Sequence, residues 1–275
     1  MNHLRFQSCQ VYRRIMHRVM SKLDEKDLER TATVFSPHQD DETLGCGGTI
    51  IRKKRLGAEV KIVFMTDGRK SHSQLISEND LKIMRAREAL AAGRMLGLEE
   101  KDITFLDFED GKLSENQDSA VHKVTDILQL QQPGEIFIPY HKEPLLWSKD
   151  HLATNMIVVS ALQMYKRKAT IYEYPIWLWY NQPWVSVPIG TPKEIFSALK
   201  QSVVSGLSLL KDFRCSVYIG DVLQLKRAAL DQYKSQMMRI ISDPRWHTLG
   251  DISNGEFLEC FFQEHEIFHQ KILYG

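Results

Sequence analysis

Residues 33–48 read Thr-Val-Phe-Ser-Pro-His-Gln-Asp-Asp-Glu-Thr-Leu-Gly-Cys-Gly-Gly, an apolar run followed by a cluster of polar side chains and three glycines. The apolar run, which ends at Phe35, predicts a buried strand, and Pro37 terminates it because proline has no N–H for a strand ladder. In an open α/β sheet, the turn after such a strand lies at the carboxyl edge, where ligands bind. The polar side chains there, His38 and Asp40–Glu42, are hard to explain by packing and mark a candidate functional site.

Strand-like apolar runs alternate with helical stretches from Thr31 onward. This alternation predicts an α/β protein with a Rossmann-like three-layer fold, in which helices cover both faces of a mostly parallel sheet. The predicted strands are 31–36, 60–66, 103–108, 135–140, 169–175 and 215–220. The predicted helices lie near 42–56, 79–97, 119–131, 150–166, 193–210 and 222–241.

An imidazole and carboxylates without a thiolate suit zinc or another divalent first-row metal ion. His38 and Asp41 are three residues apart, so one tight turn can direct both at the same ion. Asp40 would then point elsewhere and could take a proton from a water, as in metal-assisted hydrolysis. His151 is the candidate third ligand, because it follows the strand predicted at 135–140 and therefore lies at the same sheet edge. Two histidines and one aspartate with an open position are typical of a catalytic zinc site.

Each of these residues also has a simpler interpretation. Asp40 or Asp41 could cap a helix, where acidic side chains are favoured, with His38 incidental. His151 could be a structural residue paired with its neighbour Asp150. The glycines that follow the acids could form a dinucleotide-binding loop, but the pattern is not G-x-G-x-x-G and the preceding acids would repel a pyrophosphate.

The segment Pro37-His38-Gln39-Asp40-Asp41-Glu42, together with Asp150-His151, resembles the PIG-L/LmbE-like N-acetylglucosaminyl de-N-acetylase family. Further stretches, spread over about residues 31–240, are similar to loops and helices of the same family. They are Thr66-Asp67-Gly68, Arg87-Glu88, Asp107–Leu113 and the late-helix residues from Lys226 to Gln236.

The resemblance implies a zinc-dependent hydrolase, although another divalent first-row ion could replace zinc. The enzyme would remove an acetyl group from an N-acetylglucosamine-containing or related N-acetyl amino-sugar substrate, releasing acetate and a free amine. The resemblance implies that His38, Asp41 and His151 hold the metal ion and that Asp40 is the general base.

The resemblance also implies substrate contacts, and here the sequence departs from the family. Asp110 would contact the sugar, and so would a basic residue after the second strand, for which Arg69 is the candidate. The family usually has His-Pro-Asp-His where this chain has Ser148 to His151, so a serine replaces the histidine that supports the oxyanion. The missing donor could come from the Ser148 hydroxyl, from His141 or from Tyr140, and Asp150 could orient His151.

Loss of one oxyanion donor typically costs about 10²–10³ in rate. A serine hydroxyl can donate a hydrogen bond, but it cannot act as an imidazolium acid. Two alternatives to the de-N-acetylase therefore remain open. One is an amidase that acts on another N-acyl compound, and the other is a catalytically weak or inactive carbohydrate-binding relative.

The composition is that of an ordinary water-soluble globular protein. The 275 residues are 43% hydrophobic and 26% charged, and the net charge of +1 argues against nucleic acid as a partner. The four cysteines are scattered and form no C-x-x-C motif, which favours free thiols and a cytoplasmic location. No apolar run approaches the ~20 residues that a transmembrane helix needs.

The organisation predicted from the sequence is an N-terminal helical extension over residues 1–30 and a PIG-L/LmbE-like deacetylase domain over residues 31–275. The extension is basic and partly amphipathic, which favours a helix docked on its own domain. An organelle transit peptide or a membrane-surface helix is the alternative.

Two later stretches carry expectations of their own. Residues 174–192 contain four prolines and several aromatic side chains, which could bind sugar rings, form a homo-oligomer interface or bury against the sheet as a lid. Residues 243–275 are expected to form a closing helical segment. Its acids and histidines, Glu264, His265, Glu266 and His269, are expected on a solvated face.

Overall fold

A computed structural model of the chain describes residues 18–144, 149–165, 167–181 and 192–273. The strands are β1 (Ser21–Lys22), β2 (Ala32–Ser36), β3 (Val60–Thr66), β4 (Ile103–Phe108), β5 (Glu135–Pro139), β6 (Ala169–Tyr174), β7 (Cys215–Tyr218) and β8 (His265–Leu273). They form one sheet in the order β1-β7-β8-β6-β5-β2-β3-β4, and every neighbouring pair is parallel except the two that involve β8. The mostly parallel sheet is confirmed.

Helices cover both faces of this sheet. They are α1 (Glu25–Leu28), α2 (Asp41–Arg55), α3 (Glu78–Met95), α4 (Gln117–Gln131), α5 (Lys149–Tyr165), α6 (Pro192–Asp212), α7 (Leu223–Leu230), α8 (Lys234–Met237) and α9 (Glu256–Glu259). Successive side chains of a strand point to opposite faces. Val34 therefore packs in a core with α2, α3 and α7, whereas Phe35 packs in a second core with α4 and α5. The three-layer arrangement is confirmed.

The order in which the chain adds strands to the sheet reverses at β2. From β2 the chain builds β3 and β4 on one side, and it then places β5 and β6 on the other side of β2. The connections that follow β2 and β5 therefore leave the sheet in opposite directions and open a crevice at its carboxyl edge. Open α/β sheets bind ligands at this position. His38 follows β2 and His151 lies in the helix after β5, so both histidines border the crevice.

Close packing of α2 against the sheet explains the glycine-rich sequence. A Cβ atom on Gly45 would lie 2.4 Å from the ring of Tyr174, and one on Gly48 would lie 2.5 Å from Ile219. Both glycines are inside α2 and not in a loop. The dinucleotide-loop interpretation is therefore wrong, because the N–H groups of a helix interior do not cradle a pyrophosphate.

The described part of the N-terminal extension is not the continuous helix that the sequence predicts, and residues 1–17 lie outside the described residues. Ser21–Lys22 pairs in parallel with β7, and α1 is a separate four-residue helix. The side chain of Asp24 accepts the N–H of Asp27 at the start of α1. Strand pairing and a local cap thus replace the helical pattern there. The division of the chain at residue 30 stays a prediction.

The helix predicted at 222–241 is divided into α7 and α8. Tyr233, which lies between them, donates its hydroxyl to the buried carboxylate of Glu42 at 2.5 Å. Ser235 donates both its N–H and its hydroxyl to Glu88 of α3. These contacts to other helices fix the chain direction after Leu230, so a single continuous helix is excluded.

The prediction of a helical segment over 243–275 is wrong, because β8 fills the gap between β6 and β7. Glu264 is exposed as expected, but the expected solvated face is wrong for Glu266 and His269. Glu266 is only 5% exposed and lies 2.8 Å from the buried Lys226 Nζ. His269 lies opposite Glu173 in the β6–β8 ladder, and its Nδ1 is 2.8 Å from that carboxylate. Each charge in β8 thus has a partner on a distant element.

The aromatic stretch is described only in part. Residues Trp177–Asn181 form a 3₁₀ helix after β6, whereas residues 182–191, which include Trp184, lie outside the described residues. Cys46, Cys215 and Cys260 are buried free thiols. Among the described residues, no helix combines the length and the hydropathy needed to span a bilayer.

Candidate active site

His38, Asp41 and His151 meet in the crevice between β2 and β5. His38 lies in the turn after β2, Asp41 is the first residue of α2, and His151 lies in the first turn of α5. Asp41 Oδ2 is 3.3 Å from His38 Nδ1 and 3.3 Å from His151 Nε2. The three potential ligand atoms all lie within 4.8 Å of one another. The fold therefore brings together the three residues that the sequence singles out as ligands.

The spacing of these donors fits a divalent metal ion. Nitrogen and oxygen ligands lie about 2.0–2.2 Å from zinc, so two ligands at the tetrahedral angle are about 3.3–3.5 Å apart. Both observed separations are 3.3 Å and agree with this range. Burial lowers the pKa of His151 to about 4, against the opposing charge of Asp41, so its ring is neutral and has a lone pair to share. The residues present therefore fit zinc or a similar ion.

A second cluster, formed by His141, Glu173 and His269, has the same residue types but a different geometry. Glu173 Oε2 lies 2.6 Å from His141 Nδ1 and 2.8 Å from His269 Nδ1, which are ordinary hydrogen-bond distances. Lys271 Nζ contacts the other oxygen of this carboxylate at 2.7 Å. Because these partners already satisfy and neutralise Glu173, we assign a hydrogen-bonded ion cluster and no metal ion to it.

Two further carboxylates hold His38 through its other ring nitrogen. His38 Nε2 lies 3.3 Å from Asp110 Oδ1 and 3.3 Å from Asp150 Oδ2. Burial alone would lower the pKa of His38, but the charges and hydrogen bonds of Asp110, Asp150 and Asp41 outweigh it and raise the pKa well above its usual value. An Nε2–H that faces two carboxylates fixes the ring orientation and directs Nδ1 toward the candidate metal position.

Asp150 supports the site in a different way from the one the sequence suggests. We expected it to orient His151, but its Oδ2 contacts His38 and accepts the Gly111 N–H at 2.7 Å. Its Oδ1 accepts the Leu113 N–H at 3.2 Å. The start of α5 thus directs this side chain across the crevice, where it joins the loop after β4 to the turn after β2.

Asp40 has a strained backbone next to the three ligands. Its φ of 143° lies in a region that L residues rarely adopt. Although Asp40 precedes α2, its side chain makes no capping hydrogen bond. Ser36 Oγ instead accepts the Glu42 N–H, and the Glu42 carboxylate accepts the Asp40 N–H. The helix-cap interpretation of Asp40 is therefore wrong, and its carboxylate faces the cavity.

The electrostatic surroundings of Asp40 suit a group that exchanges protons near neutral pH. Burial raises the pKa of Asp40 to about 8, against the opposing charge of Arg85. Arg85 Nη2 lies 3.4 Å from Asp40 Oδ2. A carboxyl group is most effective as a general base or acid when its pKa lies near the working pH.

Arg85 is a residue of this site that the sequence analysis missed. Its side chain is 3% exposed, and its guanidinium donates to the carbonyls of Gln39 and Gly68. Its Nε is buried and has no hydrogen-bond partner among the described residues. A signal was present, because Arg85 and Glu88 follow Leu81 at i+4 and i+7 and therefore share its buried helix face.

Two expected substrate contacts lie elsewhere. Arg69 Nε donates to the buried carboxylate of Asp67 at 2.8 Å, which draws the guanidinium aside. Glu173 holds His141 in the same way. Neither Arg69 nor His141 is among the described residues that line the cavity at this site, whereas Asp110 is. Ser148 lies outside the described residues.

The cavity that contains the site has a volume of about 640 Å³, within the roughly 300–1,000 Å³ range of small-molecule sites. His38, Asp40, Asp41, Asp110 and His151 contribute to its lining. Further lining residues come from the loop after β3, from the segment after β6 and from residues 245–257. The candidate metal position therefore opens into a space large enough for an organic substrate.

The fold and the site define a doubly wound α/β protein with a His-Asp-His cluster, a candidate metal site, at the switch point of its sheet. Residues 33–162 match the model of the PIG-L family, described as GlcNAc-PI de-N-acetylase. This segment contains Asp40, Arg85 and all three candidate ligands. The resemblance to the PIG-L/LmbE-like family is thereby confirmed.

Individual relatives show the same kinship. A diacetylchitobiose deacetylase from Thermococcus kodakarensis is 28% identical over 150 residues, which cover 52% of this chain and 55% of that protein. The chain thus spans a little over half of that relative's length. The N,N'-diacetylchitobiose deacetylase of Pyrococcus horikoshii superposes with a TM-score of 0.61 at 19% identity, covering 100% of this chain and 94% of that one.

The same fold also occurs in a protein with a different activity. GalB of Pseudomonas putida KT2440, a 4-carboxy-2-hydroxymuconate hydratase, superposes with a TM-score of 0.58 at 16% identity, covering 90% of this chain and 97% of that one. At this level of identity both superpositions show a shared fold alone. Function has to be argued from the site.

Proposed function

We propose that this chain is a metal-dependent de-N-acetylase, with zinc as the preferred ion. It would remove the acetyl group from an N-acetylglucosamine-containing or related N-acetyl amino-sugar substrate and release acetate and a free amine. The observation that carries the proposal is the meeting of His38, Asp41 and His151 at metal-ligand spacing, with the Asp40 carboxylate beside them. The match to the PIG-L family and the 28% identity to a diacetylchitobiose deacetylase support the substrate class.

The residues divide the work of amide hydrolysis. A divalent ion held by His38, Asp41 and His151 supplies Lewis acidity toward the acetamide. Asp40 accepts a proton from the attacking water and returns it to the leaving amine. Arg85 holds Asp40 in place.

The decisive experiment measures acetate release from a panel of N-acetylglucosamine conjugates with the zinc-loaded chain. The Asp40→Asn variant should lose about 10²–10⁴ in rate, the usual contribution of a general base. Asp118→Asn, the same substitution at an exposed residue of α4, is the matched control and should retain the wild-type rate. Asp40→Asn with the full wild-type rate would refute the role of Asp40.

Measuring the zinc bound per chain distinguishes the proposed metal ligands from the proposed general base. His151→Ala and Asp41→Asn should each lower the bound zinc per chain, because each removes one of three protein ligands. Asp40→Asn should keep the metal while losing turnover. Equal metal content in all four proteins would refute the assignment of the ligands.

Ser148 gives the alternatives a concrete test. If the missing oxyanion donor limits the rate, Ser148→His should raise turnover, since one such donor is worth about 10²–10³ in rate. Sugar binding without turnover in both proteins would favour the carbohydrate-binding alternative. Turnover of other N-acyl compounds but not of amino sugars would favour the amidase.

A cytoplasmic location and a homo-oligomeric state are further parts of the proposal. Three buried free thiols in the described residues are consistent with a reducing compartment. Cell fractionation and size-exclusion chromatography with light scattering would test these two points.

A further inference from the structure

The cavity at the candidate site has two unlike walls. Apolar side chains form one of them: Trp177 and Tyr180 from the 3₁₀ helix after β6, and Leu249, Ile252 and Phe257 from the C-terminal part. Polar side chains from the loop after β3, among them Lys70 and His72, form the other. A substrate in this cavity can therefore contact apolar as well as polar side chains.

The apolar wall is held in a fixed arrangement. The rings of Trp177 and Phe257 stack with centroids 5.2 Å apart and an interplanar angle of 17°, and Tyr180 meets Phe257 edge-on at 6.5 Å. The buried carboxylate of Glu143 accepts the N–H groups of Ile176 at 2.7 Å and Leu178 at 2.9 Å, on both sides of Trp177. Trp177 and Tyr180 stay partly exposed, so each keeps surface for a ligand. A preformed aromatic surface in a concave site binds apolar groups with little ordering cost.

The cations in the cavity are already committed to neighbouring acids. Recognition of a phosphate usually needs Arg or Lys side chains that are free to form charge-assisted hydrogen bonds. Three Lys or Arg side chains line the cavity among the described residues, and each has a carboxylate within 3.4 Å. The pairs are Lys70 with Glu78 and Glu109, Arg85 with Asp40, and Arg245 with Asp243.

Acidic side chains in the lining further disfavour a ligand that carries phosphate. Asp110 and Asp251 also line the cavity, so a ligand that carries phosphate would meet negative charge as well as compensated positive charge. Away from the candidate metal position, where a bound ion would itself attract an anion, the cavity thus favours an uncharged group over an anionic one.

We propose that the substrate is an uncharged amino-sugar conjugate whose aglycone is apolar or aromatic and lies on the wall formed by Trp177, Tyr180, Leu249 and Ile252, which the buried Phe257 supports from behind. This inference rests on the proposed de-N-acetylase function and narrows it to one class of conjugate. Phosphate-linked conjugates are excluded from that class.

Binding to the zinc-loaded Asp40→Asn variant tests the inference independently of turnover. Calorimetry would compare phenyl N-acetyl-β-glucosaminide, free N-acetylglucosamine and N-acetylglucosamine 1-phosphate. We expect the phenyl glycoside to bind about tenfold more tightly than the free sugar, the factor that about 1.4 kcal/mol supplies. The 1-phosphate should bind more weakly than the free sugar. Equal affinities, a preference for the 1-phosphate, or no binding of any probe would overturn the proposal.

Substitutions in the apolar wall test whether the aglycone binds there. Leu249→Ser and Tyr180→Ser should each reduce the ratio of phenyl-glycoside affinity to free-sugar affinity toward one. Leu130→Ser, the same substitution at an 84% exposed leucine of α4, is the matched control and should leave this ratio unchanged. A ratio that stays at the wild-type value in both wall variants would overturn the placement of the aglycone.

Turnover by the wild-type chain separates this inference from the one on which it rests. If all three probes bind with the expected preference and none is deacetylated, the proposed activity fails while the ligand class stands. If free N-acetylglucosamine is deacetylated and no preference for the phenyl glycoside exists, the proposed activity stands and the ligand class fails.

Discussion

A buried ion pair between Glu266 and Lys226 joins β8 to helices α2 and α7. The two atoms Glu266 Oε1 and Lys226 Nζ are 2.8 Å apart, and Lys226 is only 1% exposed. The other partners are the carbonyls of Leu44 and Phe261 for the ammonium, and the N–H groups of Gly48 and Thr49 and the Thr49 hydroxyl for the carboxylate. Every hydrogen-bonding position of the pair is therefore used.

Glu266→Gln should strongly destabilise the fold. The substitution keeps the shape of the side chain but leaves the Lys226 ammonium buried without a counter-charge. It also places an amide NH₂ among N–H donors. Removing one partner of a buried pair typically costs about 3–5 kcal/mol. At about 2–3 °C per kcal/mol for a chain of this size, the melting temperature should fall by roughly 6–15 °C.

Thermal and denaturant unfolding would measure this change. Glu264→Gln, which makes the same substitution at an exposed residue just before β8, should stay within about 0.5 kcal/mol of the wild type. Lys226→Met added to Glu266→Gln should recover at least about 1 kcal/mol, because it removes the uncompensated charge. A loss below about 1 kcal/mol in Glu266→Gln, or no recovery in the double variant, would refute the ion-pair argument.

Three further predictions concern packing and pH. Gly48→Ala should cost about 1–3 kcal/mol of unfolding free energy, since its Cβ would lie 2.5 Å from Ile219. Gly206→Ala, where a Cβ meets no atom of the described residues within 4 Å, should instead stabilise by about 0.5–1 kcal/mol, and chemical denaturation would compare the two. Burial raises the pKa of Glu143 from 4.5 to about 8, so the folded state binds more protons between these values and stability should fall as pH rises through them, by up to about 1.4 kcal/mol per unit. Unfolding at pH 5 and pH 8 should show stability falling with pH in the wild type and falling less in Glu143→Gln, where Asp40, whose pKa burial also raises to about 8, still contributes. His141, His269 and Lys271 lower the pKa of Glu173 although its burial opposes them, so the stability this group contributes is present above pH 4.5 and is lost on acidification. Unfolding at pH 6 and pH 3.5 should therefore show a smaller acid-induced loss in Glu173→Gln than in the wild type.

Six strands could be predicted from the sequence because each is a short apolar run between turn residues. The pattern fails for β8, where Glu266 and Lys271 interrupt the apolar residues. Those charges are tolerated because their partners, Lys226 and Glu173, come from other elements. The local sequence does not reveal such distant partners. A strand whose charged residues depend on them is therefore predicted to be a solvated segment.

The candidate site, too, could be predicted only where neighbouring residues in the sequence carry the information. His38, Asp41 and His151 could be predicted to meet because strand ends in a parallel sheet share one edge. The role of Arg85 in the site could not be assigned from the sequence. Its partner Asp40 lies more than 40 residues earlier and precedes a different helix. The role of Asp150 was misjudged for a related reason: adjacency to His151 suggested a pair, whereas the start of α5 directs the carboxylate toward His38.

The two His-carboxylate-His clusters show what distances add to residue types. Both contain two histidines and one acid, but only the cluster around Asp41 has the wider spacing of ligands that share an ion. The Glu173 cluster nevertheless supports the site, because Asn155, one turn after His151 in α5, donates to Glu173 Oε1 at 2.9 Å and to Pro139 O at 2.7 Å. The cluster without a metal thus fixes the helix that carries a ligand of the other. Because the Glu173 cluster holds Asn155, the first turns of α5 are fixed and His151 stays at metal-ligand distance from Asp41. A single hydrogen bond at this helix end would allow the end to fray.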